Sequence, residues 1–161
     1  MGFSGGYSRN HEIAYNSDNN KEVFYNTEKH YARKKGFGYA ELYIRKNIHN
    51  KHWFKTMYTD LLVDDSVIIL NPHYSFGPSV NNRFFSFYYQ YRSDYRDYRQ
   101  YPLKGHYFDV EIDKAGLGIM KNPLVDAMHI RTNIRKYAHI KGGFYWASGF
   151  TGKISPFGEA P

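Results

Sequence analysis

The chain has 161 residues, enough for one folded unit that buries a respectable core. Its 22 Lys plus Arg against 15 Asp plus Glu give a net charge of +7, a bias toward acidic partners such as phosphates, anionic lipid or acidic protein surfaces. Cysteine is absent, which excludes disulfides, thiolate metal sites and a cysteine nucleophile.

Residues 1–19 are rich in Gly, Ser and Asn with isolated Tyr, and read as an N-terminal arm. The sequence MGFSGGYS has no basic-then-apolar leader, and Gly6 stands where a myristoylation site wants Ser or Thr. Residues 20–141 read as a single β-rich globular domain. It opens with a short amphipathic helix over about 20–34, capped by Ser17 or Asp18, with Val23, Phe24, Thr27 and Tyr31 on one face and Gly36 after its end. Period-two alternation then takes over in GYAELYIRK, where Ala40, Leu42 and Ile44 alternate with Tyr39, Glu41, Tyr43 and Arg45.

The apolar run Val67 to Leu70 reads as a buried strand ended by Asn71 and Pro72, and the stretch through Asn82 as a loop. A strand follows with Phe85, Phe87, Tyr89 and Tyr91 on one face, then another with Phe108, Val110 and Ile112 alternating with Asp109, Glu111 and Asp113. The segment 123–141 carries two signals. Asn122 and Pro123 suit a helix start, while the alternation from Met128 to Lys141 argues strand, the reading favoured here from Met128 onward. Residues 142–161, with scattered Gly, Pro and aromatics, read as a C-terminal arm. The expected fold is β-rich, all-β or α+β: an antiparallel sandwich-like domain with one or two helices and extended N- and C-terminal arms. No apolar run reaches the length of a membrane helix, since Leu61 to Leu70 is broken by Asp64 and Asp65. The expectation is therefore a soluble or assembly-bound chain without signal peptide or membrane span, of unassigned compartment.

The octamer KGFGYAEL, Lys35 to Leu42, resembles the RNP1 segment of the RNA-recognition motif, with Ala40 and Leu42 in place of a larger aliphatic and the last aromatic residue. The resemblance implies a strand that presents Lys35, Phe37 and Tyr39 to stacked bases. His49 and His52 form an HxxH pair without the carboxylate of a metalloprotease, and Asp109, Glu111 and Asp113 share a strand face. A metal-dependent hydrolase is a further alternative on these groups. No cofactor or metal site is assigned, and no nucleophile motif, Walker loop or dinucleotide fingerprint occurs.

Aromatic residues make up 19% of the chain, a surplus that either interfaces or an AT-rich codon bias would produce. Its densest stretch, RFFSFYYQYRSDYRDYRQYP, interleaves Tyr, Arg and Asp, a mixture suited to protein contacts. Tyr88, Arg92, Tyr95, Arg96, Tyr98 and Arg99 are the first partner-binding residues expected. Arg131, Arg135, Tyr145 and Trp146 extend the surface. The expected role is a non-enzymatic scaffold subunit of a large assembly, a virus particle or organellar complex, whose partners are other protein subunits. RNA binding in a ribonucleoprotein is the alternative, with nucleic acid as the partner.

Overall fold

The computed structural model describes residues 1–75, 79–120 and 125–157. The chain is β-rich, and the described residues form nine antiparallel strands in two sheets and one short helix, in a sandwich-like arrangement. Strands β1 (Gly2–Asn10), β4 (Arg33–Arg45), β5 (Asn50–Val63), β6 (Asn81–Asp94), β7 (Gly105–Ala115), β8 (Ala127–Lys141) and β9 (Phe144–Phe157) form one seven-stranded sheet in that spatial order. Strands β2 (Glu12–Asp18) and β3 (Lys21–Asn26) form a separate hairpin, and α1 spans Asp65–Leu70.

The helix expected over 20–34 is instead the second half of that hairpin and the start of β4. Asn19 and Asn20 both take positive φ, the geometry of a two-residue hairpin turn, and Asp18 pairs with Lys21 across it. Val23 and Tyr25 then turn inward at period two while Phe24 stays exposed. The VIIL run is also corrected, from strand to helix. The Asp64 carboxylate accepts from the Ser66 N–H at 2.8 Å, capping α1, and Val67 and Ile68 are its buried residues. From Ala127 to Lys141 the chain is strand, as the alternation indicates; the helix start at Asn122 and Pro123 lies outside the described residues. Gly2–Asn10 and Phe144–Phe157 are the two outer strands of the large sheet, β1 and β9, bonded to β4 and β8.

The connections differ sharply at the two ends of the large sheet. At one end, 46–49 and 142–143 are short links, with Gly142 at φ 61 in the tightest, and 95–104 is a longer one. At the other, 11–32 carries the β2–β3 hairpin, 64–80 carries α1, and 116–126 completes the set. The hairpin and helix make the main apolar core there. Ile13, Ala32, Val63, Val67 and Ile68 are buried together, with Tyr15, Tyr25, Leu61 and Tyr74 against them. His30 Nε2 lies 2.5 Å from Asp64, Tyr25 donates to the same carboxylate at 3.3 Å, and Asn71 Nδ2 donates to the Tyr15 carbonyl at 2.7 Å. These bonds tie the hairpin to the helix as one cap.

Candidate functional site

Side chains in a strand alternate between faces, and paired residues in a ladder share one, so the register sorts the large sheet into two surfaces. One ladder row runs Leu42, Phe54, Tyr89, Ile112, Ile130 and Ile154. The adjacent row, one residue along each strand, runs Tyr43, Trp53, Gln90, Glu111, Arg131 and Lys153. The sheet therefore has an apolar face and a polar face.

The separation holds along the strands. On the apolar face, Gly36 to Ile44 of β4, Phe54 to Tyr58 of β5, Phe85 to Ser93 of β6 and Phe108 to Ile112 of β7 contain no Asp, Glu, Lys or Arg at alternate positions. Neither do Met128 to Ile134 of β8 nor Phe144 to Ile154 of β9. Charge returns at the margins, at Lys34, Asp60, Arg83 and Lys114 toward the capped end and at Lys136 toward the other. Tyr7 and Tyr58 stand near the first margin, Tyr91 and Trp146 near the second. Much of this face is open: Phe144 is 77% exposed, Phe150 63%, Ile154 62% and Trp146 46%.

The opposite face carries a bonded network. Arg92 Nε donates to Asp109 Oδ2 at 2.9 Å, and Gln90 Nε2 bridges Asp109 at 3.0 Å and Glu111 at 2.9 Å. Arg131 reaches Glu111 at 3.6 Å. Asp109 is only 5% exposed, so these donors keep a buried carboxylate satisfied. Burial and the neighbouring Glu111 and Asp109 carboxylates push the Tyr88 phenol up to about 12. Trp53 Nε1 donates to Glu41 at 3.3 Å, and the Lys55 ammonium lies 4.0 Å from the centre of the Tyr39 ring. Leu61 and Val63 belong to this same face, so the β2–β3 and α1 cap leans over its end.

The expected partner residues divide among three places. Tyr88, Arg92, Arg131, Arg135 and Tyr145 lie on the polar face, and Trp146 lies on the apolar one. Tyr95, Arg96, Tyr98 and Arg99 lie in the 95–104 connection, with Tyr98 outward and Arg96 folded back. Arg96 donates to both oxygens of Asp94, at 2.8 and 2.9 Å, and its guanidinium lies 4.6 Å from the Tyr107 ring centre. Much of the Arg and Asp interleaving is therefore satisfied within the chain.

Hydrogen bonds from Arg96 hold the Asp94 carboxyl below its ordinary value. A folded value below the unfolded one, near 3.9, means that stability from this group is full above about pH 4 and fades as pH falls through the folded value. An Asp94→Asn variant should thus be less stable than the parent at neutral pH, with the gap closing under acid. Urea midpoints measured across that range check it.

Lys35, Phe37 and Tyr39 share the polar face of β4, with Phe37 and Tyr39 rings stacked at 6.5 Å. They sit in a seven-stranded meander. His49 and His52 do not converge: His49 stacks on Tyr95 at 4.2 Å, whereas His52 lies 3.0 Å from the Tyr89 hydroxyl. Asp109, Glu111 and Asp113 do share a face, and the first two meet arginines there. Among the described residues no three His, Asp or Glu side chains gather in a group that would hold a metal ion. Sequence reasoning missed Gln90 and Lys153 as parts of the polar row. The signal was their parity with Arg92 and Arg131. Comparison with known protein families, with curated proteins and with solved structures finds no match for this chain.

Proposed function

We propose that this chain is a wall segment of a transmembrane β-barrel, a non-enzymatic structural element whose apolar face meets lipid and whose polar face lines the interior. The observation that carries the reading is an exposed apolar face: between the charged margins its central band holds no Asp, Glu, Lys or Arg, while the polar face of the same strands is rich in them. A water-soluble antiparallel sheet shows the same segregation but keeps its apolar face beneath a second layer, whereas here Phe144, Phe150 and Ile154 of that face are exposed. In lipid the requirement is that every backbone polar group be paired, which the ladder of a closed barrel satisfies.

Dimensions and connections support the same reading. Strands β4 to β9 have 11 to 15 residues, and about 9–11 suffice to cross the hydrocarbon at a tilt. Two of the three links at one end are short and all three at the other are long, which together with aromatic residues near both margins is the direction of asymmetry in outer-membrane barrels. The cap would narrow the interior at the long-loop end. The smallest such barrels have eight strands, so closure requires further strands on the β1 and β9 edges.

No helix among the described residues is long and apolar enough to cross a membrane. Strands cross a membrane by alternation and need no such helix. The structural role expected of the chain is retained in this proposal, with lipid in place of protein neighbours on the apolar face.

The two tryptophans provide the test, because Trp53 lies on the polar face and Trp146 on the apolar one. In vesicles containing brominated lipid, the Trp53→Phe variant, which keeps Trp146, should be strongly quenched. The Trp146→Phe variant, which keeps Trp53, should be quenched weakly by lipid. Equal, weak lipid quenching of both would sink the membrane reading and favour a protein-covered face. An RNA affinity that falls steeply with salt would favour the alternative at Lys35, Phe37 and Tyr39.

A further inference from the structure

At the capped end of the apolar face, the side chains leave a trough. Gly36 and Gly38 floor it on β4, Tyr7 of β1 and Tyr58 of β5 stand on either side, and Lys34, Asp60 and Arg83 gather at its outer end. The cavity is about 510 Å³. A Cβ placed on Gly38 meets nothing within 4 Å, so the floor is open space rather than a packing contact. Moving inward along β4, the next residues on this face are Ala40 and Leu42, so the inner end of the trough adjoins the apolar band.

The charges at its outer end are unequal. Asp60 lies 3.2 Å from Arg83, which leaves that pair neutral. Arg9 faces Lys34 in the neighbouring row, and neither is in an ion pair with a carboxylate among the described residues. Aromatic rings hold them instead. The Arg9 guanidinium lies 5.3 Å from the Tyr7 ring centre and 5.0 Å from that of Tyr31, with the Lys34 ammonium 5.7 Å from Tyr31. Two cations without carboxylate partners therefore stand at the margin where the charge-free band ends.

We propose that this trough is a binding site for a lipid with an anionic phosphate headgroup, the phosphate held by Arg9 and Lys34 and one acyl chain lying over Gly36 and Gly38. The site rests on the membrane reading of the apolar face. Charge complementarity selects an anionic headgroup over a zwitterionic one, since the latter brings its own cation to Arg9 and Lys34. Continuity with the apolar band selects a lipid over free phosphate. Tyr7 and Tyr58 stand at the depth where amphipathic rings settle at a membrane boundary.

Native mass spectrometry of the full chain, released from vesicles of equal phosphatidylglycerol and phosphatidylcholine, tests the site. The parent should retain phosphatidylglycerol at least several-fold over phosphatidylcholine. The double variant Arg9→Gln, Lys34→Gln should bring the two lipids to parity. The variant Gly38→Leu, whose Cβ has open space around it and whose branched end projects into the trough, should lower retention with both cations in place. Excess glycerol phosphate, the headgroup without chains, should not displace the lipid; full displacement would overturn the acyl part of the site. Equal retention of both lipids by the parent would overturn the site. If Trp146 is still quenched by brominated lipid in that preparation, the membrane reading survives and this site alone fails.

Discussion

Replacing Ile112 with arginine is expected to destabilise the bilayer-inserted protein by about 2–4 kcal/mol, the cost of a cation near the middle of a lipid-facing strand. Ile112 lies in the row Leu42, Phe54, Tyr89, Ile112, Ile130 and Ile154, flanked on both sides by apolar residues. Arginine there has no acidic partner within the row. The effect should depend on depth. Ser148 is on the same face but pairs with Lys136 beyond the charge-free band, so Ser148→Arg should cost only about 0–1 kcal/mol. Thr151 is on the polar face opposite Asn133, and Thr151→Arg should also stay within about 1 kcal/mol. Chemical unfolding from vesicles measures all three. Equal losses at Ile112 and Ser148 would indicate a protein contact of uniform character rather than a hydrocarbon slab.

The second large effect is expected inside the polar network. Arg92→Leu removes the charged donor of the buried Asp109 carboxylate and leaves it Gln90 at 3.0 Å and the Tyr107 hydroxyl. Breaking a fully buried pair costs roughly 3–5 kcal/mol. The Arg92 side chain is 45% exposed, so solvent screening reduces the expected loss to about 1–3 kcal/mol. The double variant Arg92→Leu, Asp109→Leu should recover part of that loss, because no charge is then left buried. A double-mutant cycle in the same unfolding assay measures this. Single and double variants falling together additively would mean that the two groups do not interact.

How legible these features were depends on the length of the pattern. The alternation from Met128 to Lys141 outlasts the helix signal around Asn122 and Pro123, and that stretch is strand. The alternation in β7 also gave the right faces, with Phe108, Val110 and Ile112 opposite Asp109, Glu111 and Asp113. Shorter signals misled. Ser17 and Asp18 resemble a helix cap and Arg33 to Lys35 a basic helix end, yet the Asn19–Asn20 turn between β2 and β3 settles that region as a hairpin. Four apolar residues, Val67 to Leu70, fit strand and helix alike, and the Asp64 cap decides for helix.

The two-faced character of the sheet was written in every strand, but weakly in each. Alternating apolar residues over about ten positions carry far less signal than a continuous apolar run, and an expectation framed around helices passes over them. In the tyrosine and arginine stretch, Phe85, Phe87, Tyr89 and Tyr91 fall on the apolar face, and Tyr88 and Arg92 on the polar one. What sequence could not give was the register across six neighbouring strands. That register turns alternation within each strand into two continuous surfaces, and it brings Arg92 to Asp109 and Glu111 to Arg131. The trough had no sequence signature beyond Gly36 and Gly38, which also fit a helix stop and the start of a strand.

Because the chain contains no cysteine, single cysteines can be introduced one at a time from Phe108 to Asp113 in β7 and spin-labelled in vesicles. Collision with oxygen reports lipid exposure, and collision with a water-soluble nickel chelate reports aqueous exposure. Strict alternation is expected: labels at 108, 110 and 112 meet oxygen, and labels at 109, 111 and 113 meet nickel or are shielded by neighbouring side chains. Nickel reaching 108, 110 and 112 as readily as the odd positions would contradict a lipid-facing sheet.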